Sequence, residues 1–212
     1  MINYEGRQKD LKTKFNSHLT KLTGIKKDYY ETLSQEDFVE LKRVFSDINN
    51  IFTLKLTIIA ILWLCKTFKI DNKTKSEILK EIDAIKPNAN GFDIKIDKPK
   101  IIAEVKCVFP PVSKNKYLAA QRNGILDDAI KLIEGKKKIP DTSTYYKFLF
   151  VVNIGENTDL ALNTLLKPSK GASDNEVRKR RHKIKEKIKL LNSETLNSLS
   201  TDKVYLKTLK LD

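Results

Sequence analysis

The chain has 212 residues, of which 40% are hydrophobic, so it can bury a core as one domain or as a domain with an extension. It carries 41 Lys and Arg against 27 Asp and Glu, and the resulting formal net charge of +14 favours a polyanionic partner without naming it. Two cysteines and two histidines exclude a zinc-finger spacing and a disulfide framework, which suits a reducing compartment.

The amino-terminal sequence lacks the apolar core of a signal peptide. The longest apolar run, residues 58–65, is much shorter than the roughly 20 residues that span a bilayer. We therefore expect a cytoplasmic protein that does not enter a membrane.

The first ninety residues carry helical signals. Ser34, followed by two acids, is a typical N-cap residue for a helix with apolar residues at helical spacing. Residues 50–68 are apolar on most sides and predict a buried central helix, and residues 72–85 predict another helix with one apolar stripe. The turn sequence at 86–91 ends this part.

From residue 92 the pattern changes to alternating strands and helices. Ser173 and Glu176 form an S-x-x-E capping box that predicts a basic carboxy-terminal helix. We predict strands at 92–96, 100–108, 145–154 and 203–211 and helices at 116–134 and 174–191. The expected fold is α/β, a central mixed sheet flanked by helices, with a helical layer (1–90) and an α/β part (91–212) in a single domain.

The segment from 90 to 106, NGFDIKIDKPKIIAEVK, predicts a β-hairpin with three charges on one face. A four-residue loop at 97–100 pairs Ile96 with Ile101, and the same register places Asp93 opposite Glu104. Because side chains alternate along a strand, one face is apolar. The other face carries Asp93, Lys95, Ile102, Glu104 and Lys106.

Two facing carboxylates repel each other, so a proton or a cation must lie between them. Mg²⁺ prefers oxygen ligands and takes only one or two protein carboxylates, with water and substrate phosphate in its other positions. Lys106 could then orient or deprotonate an attacking water. The alternative is a half-exposed edge hairpin in which Lys95 or Lys106 neutralises an acid. The pattern [D/E]-x-K alone is not specific, because it also begins at Asp10, Glu40, Asp71, Asp93 and Glu134.

Asp93, ten further residues and then Glu104-Val105-Lys106 resemble the PD-(D/E)xK motif of the restriction-endonuclease-like nuclease superfamily. Type II restriction endonucleases and related defence nucleases are the most similar members. The resemblance implies a restriction-endonuclease-like core in which Asp93 and Glu104 ligate Mg²⁺, for which Mn²⁺ can substitute. It also implies the Val105 carbonyl as a further ligand and Lys106 as the general base or water-positioning residue. Phe92 stands where the family often has Pro.

The resemblance extends to less specific positions. Many members supply another acid from an upstream helix, for which Glu77 and Glu81 are the candidates and Glu40 remains open. Double-stranded DNA is the expected partner, and a homodimer is expected by analogy. The candidate nucleic-acid-binding residues are Lys114, Lys116, Gln121, Arg122, Arg178 and Arg181.

The resulting hypothesis is a Mg²⁺-dependent DNA endonuclease of a restriction or other defence system. Two alternatives stay open: a nucleic-acid-binding protein without catalysis, in which the hairpin is structural, and a nuclease that acts on RNA. The basic helix is compatible with a solvated surface, with phosphate contacts or with a membrane-surface role.

Overall fold

The computed structural model describes residues 4–84, 91–111, 115–137, 139–168 and 175–211. By its internal packing the chain divides into two compact units, Met1–Asn49 and Asn50–Asp212.

The first unit is helical and has a small aromatic centre. Its helices are α1 (Tyr4–Thr23), α2 (Tyr29–Thr32) and the first part of α3 (Gln35–Thr67). The Phe38 ring lies 5.3 Å from the ring of Phe15 and 5.7 Å from that of Tyr30. As predicted, Ser34 caps α3, because its hydroxyl accepts from the Asp37 N–H at 3.1 Å and the Asp37 carboxylate accepts from the Ser34 N–H at 2.8 Å.

The second unit is built on one five-stranded mixed sheet in the order β1-β2-β3-β5-β4. Its strands are β1 (Ile94–Ile96), β2 (Ile101–Lys106), β3 (Tyr146–Asn153), β4 (Ile188–Leu190) and β5 (Val204–Lys210). Its further helices are α4 (Asn72–Ala84), α5 (Ala119–Glu134), α6 (Glu156–Leu166), α7 (Glu176–Ile184) and α8 (Ser193–Leu196). Strands β1 and β2 are antiparallel and the other pairs are parallel. The predicted α/β class with a mixed sheet flanked by helices is confirmed.

Two apolar clusters cover the two faces of the sheet. Cluster A joins α3 and α4 to one face and includes Leu64 and Phe148, whereas cluster B joins α5, α6 and α7 to the other face and includes Leu132 and Leu149. Neighbours along a strand enter opposite clusters because side chains alternate. The sheet is therefore the middle of three layers.

Helix α3 is buried on one side rather than all round, which corrects the expectation of a fully buried central helix. Leu56, Ile61 and Leu64 are inaccessible, but Ile51 is 56% exposed and Leu62 is 45% exposed. By length and composition alone, α3 is the one helix of the described residues that could cross a membrane, a property that core helices of soluble proteins share.

The predicted helix 174–191 is wrong in its second half. Helix α7 begins after the Asn175 cap and ends at Ile184, and Ile188 then enters β4 opposite Val204. Pairing with β5 overrides the helical spacing, since the sheet edge offers hydrogen bonds that an isolated helix turn does not. Ser173 lies outside the described residues. Helix α6 has no predicted counterpart, because its N-cap is Gly155, which offers no side-chain signal.

A buried lysine closes the start of β3. Lys147 is 1% exposed, and its ammonium donates to the carbonyl oxygens of Thr142 at 2.6 Å, of Tyr145 at 2.9 Å and of Thr201. Burial lowers the pKa of Lys147 to about 8. The ammonium thus joins two loops to the central strand at the cost of desolvation.

We expect Lys147 to make the stability of the second unit depend on alkaline pH. The unfolded lysine keeps its proton up to about 10.5, so the unfolded state binds more protons above pH 8 and the free energy of unfolding rises there. Between pH 8 and 10.5 the free energy of unfolding of the wild type should rise by roughly 2 to 3 kcal/mol relative to that of Lys147→Met. Urea unfolding followed by the fluorescence of Trp63 measures this difference. Lys189→Met, which changes an exposed strand lysine, should show no such gain.

Candidate active site

The β1–β2 hairpin has the predicted register. Ile96 pairs with Ile101 and Ile94 with Ala103. Asp93 lies one residue before Ile94, the first paired residue of β1, and Glu104 lies one residue after its partner Ala103. The Asp93 carboxylate accepts a hydrogen bond from the Val105 N–H at 2.7 Å, which ties the acid to the second strand.

The two faces of the hairpin divide as predicted, but the charged face is also buried. The residues at 94, 96, 101, 103 and 105 all belong to cluster A, and Cys107 follows them. On the opposite face Ile102 enters cluster B, where α5 covers β2. Glu104 is consequently only 4% exposed. The acid lies beneath a helix instead of on an open polar surface.

Burial makes Glu104 the most perturbed carboxyl group of this site. Desolvation raises its pKa to about 8, and the charges of Asp93 and Asp128 add to the rise. The Lys136 ammonium forms an ion pair with the carboxylate and partly opposes the shift. A carboxyl group perturbed both by burial and by a neighbouring charge marks a candidate functional site.

Lys136 reaches Glu104 because the chain turns sharply at the end of α5. Gly135 has φ +90°, and an added Cβ would overlap the carbonyl oxygen of Pro140, so glycine is required there. The Lys136 ammonium also donates to the Gly91 carbonyl and lies 4.9 Å from the centre of the Phe92 ring. One lysine therefore links three segments around the acid pair.

Asp128 is a site residue that the sequence analysis missed. It is 3% exposed on α5, and its carboxylate pairs with Lys106 at 2.5 Å and with Lys131 at 2.9 Å. The pairing with Asp128 raises the pKa of Lys131. An acid between the buried Ile125, Ala129 and Leu132 interrupts the apolar stripe of α5, and this interruption is the signal that was available in the sequence.

The Asp93–Glu104 pair offers few protein ligands to Mg²⁺. No group of three or more His, Cys, Asp or Glu side chains is arranged to hold a metal ion among the described residues. Asp93 and the buried Glu104 repel each other, and a Mg²⁺ site needs only one or two protein carboxylates. The pair fits such an ion if Lys136 withdraws from Glu104. The Val105 N–H is engaged with Asp93, and its carbonyl remains a predicted ligand.

The predicted upstream acids lie elsewhere on the surface. Glu77 and Glu81 are exposed on α4, whose Ile78 packs in cluster A, on the face of the sheet away from Glu104. Glu40 is exposed in the first unit. The structure brings neither Glu77 nor Glu81 to the Asp93–Glu104 pair.

Four of the predicted nucleic-acid-binding residues share one groove. Lys116, Arg122, Arg178 and Arg181 line a cavity between α5, α6 and α7. Gln121 instead stabilises the start of α5, since its amide donates to the Phe109 carbonyl at 2.8 Å and accepts from the Leu118 N–H at 3.0 Å. Lys114 lies outside the described residues.

Comparison of the chain with protein-family models, with curated proteins and with solved structures finds no match. The resemblance to PD-(D/E)xK nucleases therefore depends on the motif residues and their geometry.

We expect Glu104→Gln to stabilise the metal-free protein increasingly as pH rises. The folded state holds the Glu104 proton up to about pH 8 and the unfolded state only to about 4.5, so the wild type loses stability across that interval. Between about pH 4.5 and 8 the free energy of unfolding of the variant should rise by on the order of 3 to 5 kcal/mol relative to that of the wild type. Unfolding of EDTA-treated protein at several pH values measures it.

The exposed Glu77→Gln is the matched control and should shift stability equally at every pH. A Glu104→Gln effect that is independent of pH would show that Glu104 is already ionised in the folded protein.

Proposed function

We propose that this protein is a Mg²⁺-dependent endonuclease with a restriction-endonuclease-like core that hydrolyses DNA phosphodiester bonds. The observation that carries the proposal is the contact of Asp93 with the strand that bears the buried Glu104. The Asp93 carboxylate accepts from the Val105 N–H at 2.7 Å, and Lys106 lies two residues beyond Glu104 on the same strand face. Two repelling carboxylates beside an ammonium suit a site that receives a cation and an anionic substrate.

Each side chain has a distinct part in this proposal. Asp93 and Glu104 would hold the ion together with the Val105 carbonyl. Bound Mg²⁺ supplies positive charge that stabilises the phosphoryl oxygens. Lys106 orients the attacking water for in-line displacement. Asp128 positions the Lys106 ammonium, with which it is paired at 2.5 Å.

Lys136 balances the charge of the site before it is loaded. Its ammonium pairs with Glu104 and reaches the site through a side chain that is 20% exposed. Glu104 must lose its proton and this partner before both of its oxygens are free to bind. If Glu104 loses its proton and the Lys136 ammonium withdraws when a divalent ion binds, the net charge buried at the site stays nearly constant. This limits the desolvation cost of binding.

The biological setting follows from the chemistry of the resemblance. We propose duplex DNA as the substrate and Mn²⁺ as an ion that can substitute for Mg²⁺. The proposed context is a restriction or other defence system in the cytoplasm. Cutting both strands needs two sites, so we propose a homodimer.

A second candidate is a nucleic-acid-binding protein without catalysis. The observation that favours it is the contact between Lys136 and Glu104, which gives the acid a partner without any metal. In that case the hairpin charges are structural and the basic surfaces bind nucleic acid. A nuclease that acts on RNA is distinguished by cleavage of matched DNA and RNA strands.

We expect Asp93→Ala and Lys106→Ala each to reduce Mg²⁺-dependent DNA cleavage by at least about 100-fold, because each removes a group that acts on the reacting phosphate. Incubation with plasmid and genomic DNA, followed by sequencing of the ends, measures cleavage and its sequence preference.

Lys95→Ala is the matched control on the same hairpin. Lys95 is exposed and pairs with Asp97 at 2.8 Å, so its loss should leave cleavage unchanged. Full activity in both Asp93→Ala and Lys106→Ala would refute the catalytic assignment, and DNA binding without cleavage under any divalent ion would favour the second candidate.

We also expect Mg²⁺ binding to release about one proton at neutral pH, because Glu104 holds its proton up to about pH 8 in the metal-free protein. Isothermal titration calorimetry in two buffers of different ionisation enthalpy counts that proton without any substrate. Glu104→Gln should abolish both the binding heat and the release. Mg²⁺ binding with no proton release would mean that the ion binds elsewhere or that Glu104 is already ionised in the folded protein.

A further inference from the structure

A second charged site lies between α5, α6 and α7, and we call it the basic groove. Its volume is about 840 Å³, and none of the described residues that line it is acidic. Eight Lys and Arg side chains line it, of which Lys179 and Arg181 are paired with Glu176 and Asp127. The other six are Lys116, Arg122, Lys167, Arg178, Lys183 and Lys185. A concave surface with charge of one sign concentrates the field on whatever enters it.

The cations of the groove repel one another. Burial lowers the pKa of Lys185, and the charge of Arg122 lowers it further. The Lys185 ammonium donates to the Lys167 carbonyl at 3.0 Å, which orients it at the groove wall. Arg122, Arg178 and Lys183 form no ion pair within the described part of the chain. An anion would relieve this repulsion.

Separate ion pairs hold the walls of the groove together. The Arg181 guanidinium binds the Asp127 carboxylate through two hydrogen bonds of 2.7 and 2.6 Å, and Arg180 pairs with Glu134. These contacts hold α7 against α5, and the one between Arg181 and Asp127 is bidentate. The wall is thus fixed by neutralised arginines, while other cations face the groove.

A residue that lines the same cavity carries a buried hydroxyl without a partner in the described part of the chain. Tyr117 lines the groove and is 3% exposed, and its hydroxyl has no hydrogen-bond partner among the described residues. A buried polar group without a partner costs free energy, so an acceptor is expected there. A phosphate oxygen is a suitable acceptor for both a hydroxyl and ammonium groups.

The groove and the Asp93–Glu104 pair lie on different sides of α5. Leu126 and Arg122 line the groove, whereas Asp128 faces Lys106. Asp128 is two residues beyond Leu126, which is about 200° around a helix of 3.6 residues per turn. A ligand in the groove therefore does not need the acid pair or its metal.

We propose that the basic groove binds the backbone phosphates of a nucleic-acid strand without a metal ion. Arg122, Arg178 and Lys183 are exposed and come from two helices, an arrangement that suits an extended polyanion better than one small anion. The choice of nucleic acid as the polyanion rests on the proposed function, but binding in the groove does not require hydrolysis. Contacts of this kind hold the strand without reading its sequence.

The test is the salt dependence of binding to a fluorescent oligonucleotide, duplex or single-stranded, measured by anisotropy in EDTA. In the triple variant Arg122→Gln, Arg178→Gln, Lys183→Gln we expect Kd to rise at least about 10-fold at about 0.1 M salt. The slope of the logarithm of the association constant against the logarithm of salt concentration should become less negative by roughly 2 to 3. Each phosphate contact that is lost means about one counterion fewer released on binding. Circular dichroism and thermal unfolding check that the variant is folded.

The matched control removes three exposed lysines from another surface, as Lys66→Gln, Lys73→Gln, Lys80→Gln. It has the same net charge and should change Kd by less than about 2-fold. An equal loss in both triple variants, an unchanged Kd in the groove variant, or wild-type binding to anionic vesicles but not to nucleic acid each overturns the proposal.

Binding in EDTA and cleavage in Mg²⁺, both measured on the wild-type protein, separate this inference from the proposed function. Groove-dependent binding by a wild type that never cleaves DNA would refute the nuclease and support the groove.

Discussion

The pairing of Ile96 with Ile101 across the first hairpin is the constraint on which the candidate site depends. Side chains alternate with a period of two, so a slip of β2 by one residue would move Glu104 and Lys106 into cluster A and Ile101, Ala103 and Val105 out of it. Cluster A would then have to bury Glu104 without a partner. The apolar face therefore enforces the register, and the register sets Asp93 opposite Glu104.

Helix α5 separates the acidic candidate site on one of its sides from the basic groove on the other. On the side of the hairpin it brings Asp128 to Lys106, and its end carries Lys136 to Glu104. On the other side it presents Arg122 to the basic groove. An acid cluster balanced by lysines and a groove without acids are therefore held by the same helix. Such a division lets a polyanion bind near a site whose acids would otherwise repel it.

Much of the fold follows from local pattern, and the failures share one cause. The hairpin, the apolar run of β3 and the strand β5 were predictable because alternation and β-branched residues are local signals. The strand β4 was predicted as helix, since Ile188 is buried by pairing with Val204, which lies 16 residues further along the chain. Exposure of Ile51 on α3 was likewise invisible, because composition does not tell which side of a helix meets the sheet.

For the site, the sequence by itself determined the hairpin, its register, and the sharing of one strand face by Glu104 and Lys106. Periodicity and loop length depend on residues that are close together in the chain, so they can be predicted from the sequence. Only the tertiary structure decided that α5 buries Glu104, that Asp128 holds Lys106, and that Lys136 contacts Glu104. Those contacts join residues up to 32 positions apart, and their energies arise from desolvation, which depends on the packing of whole elements.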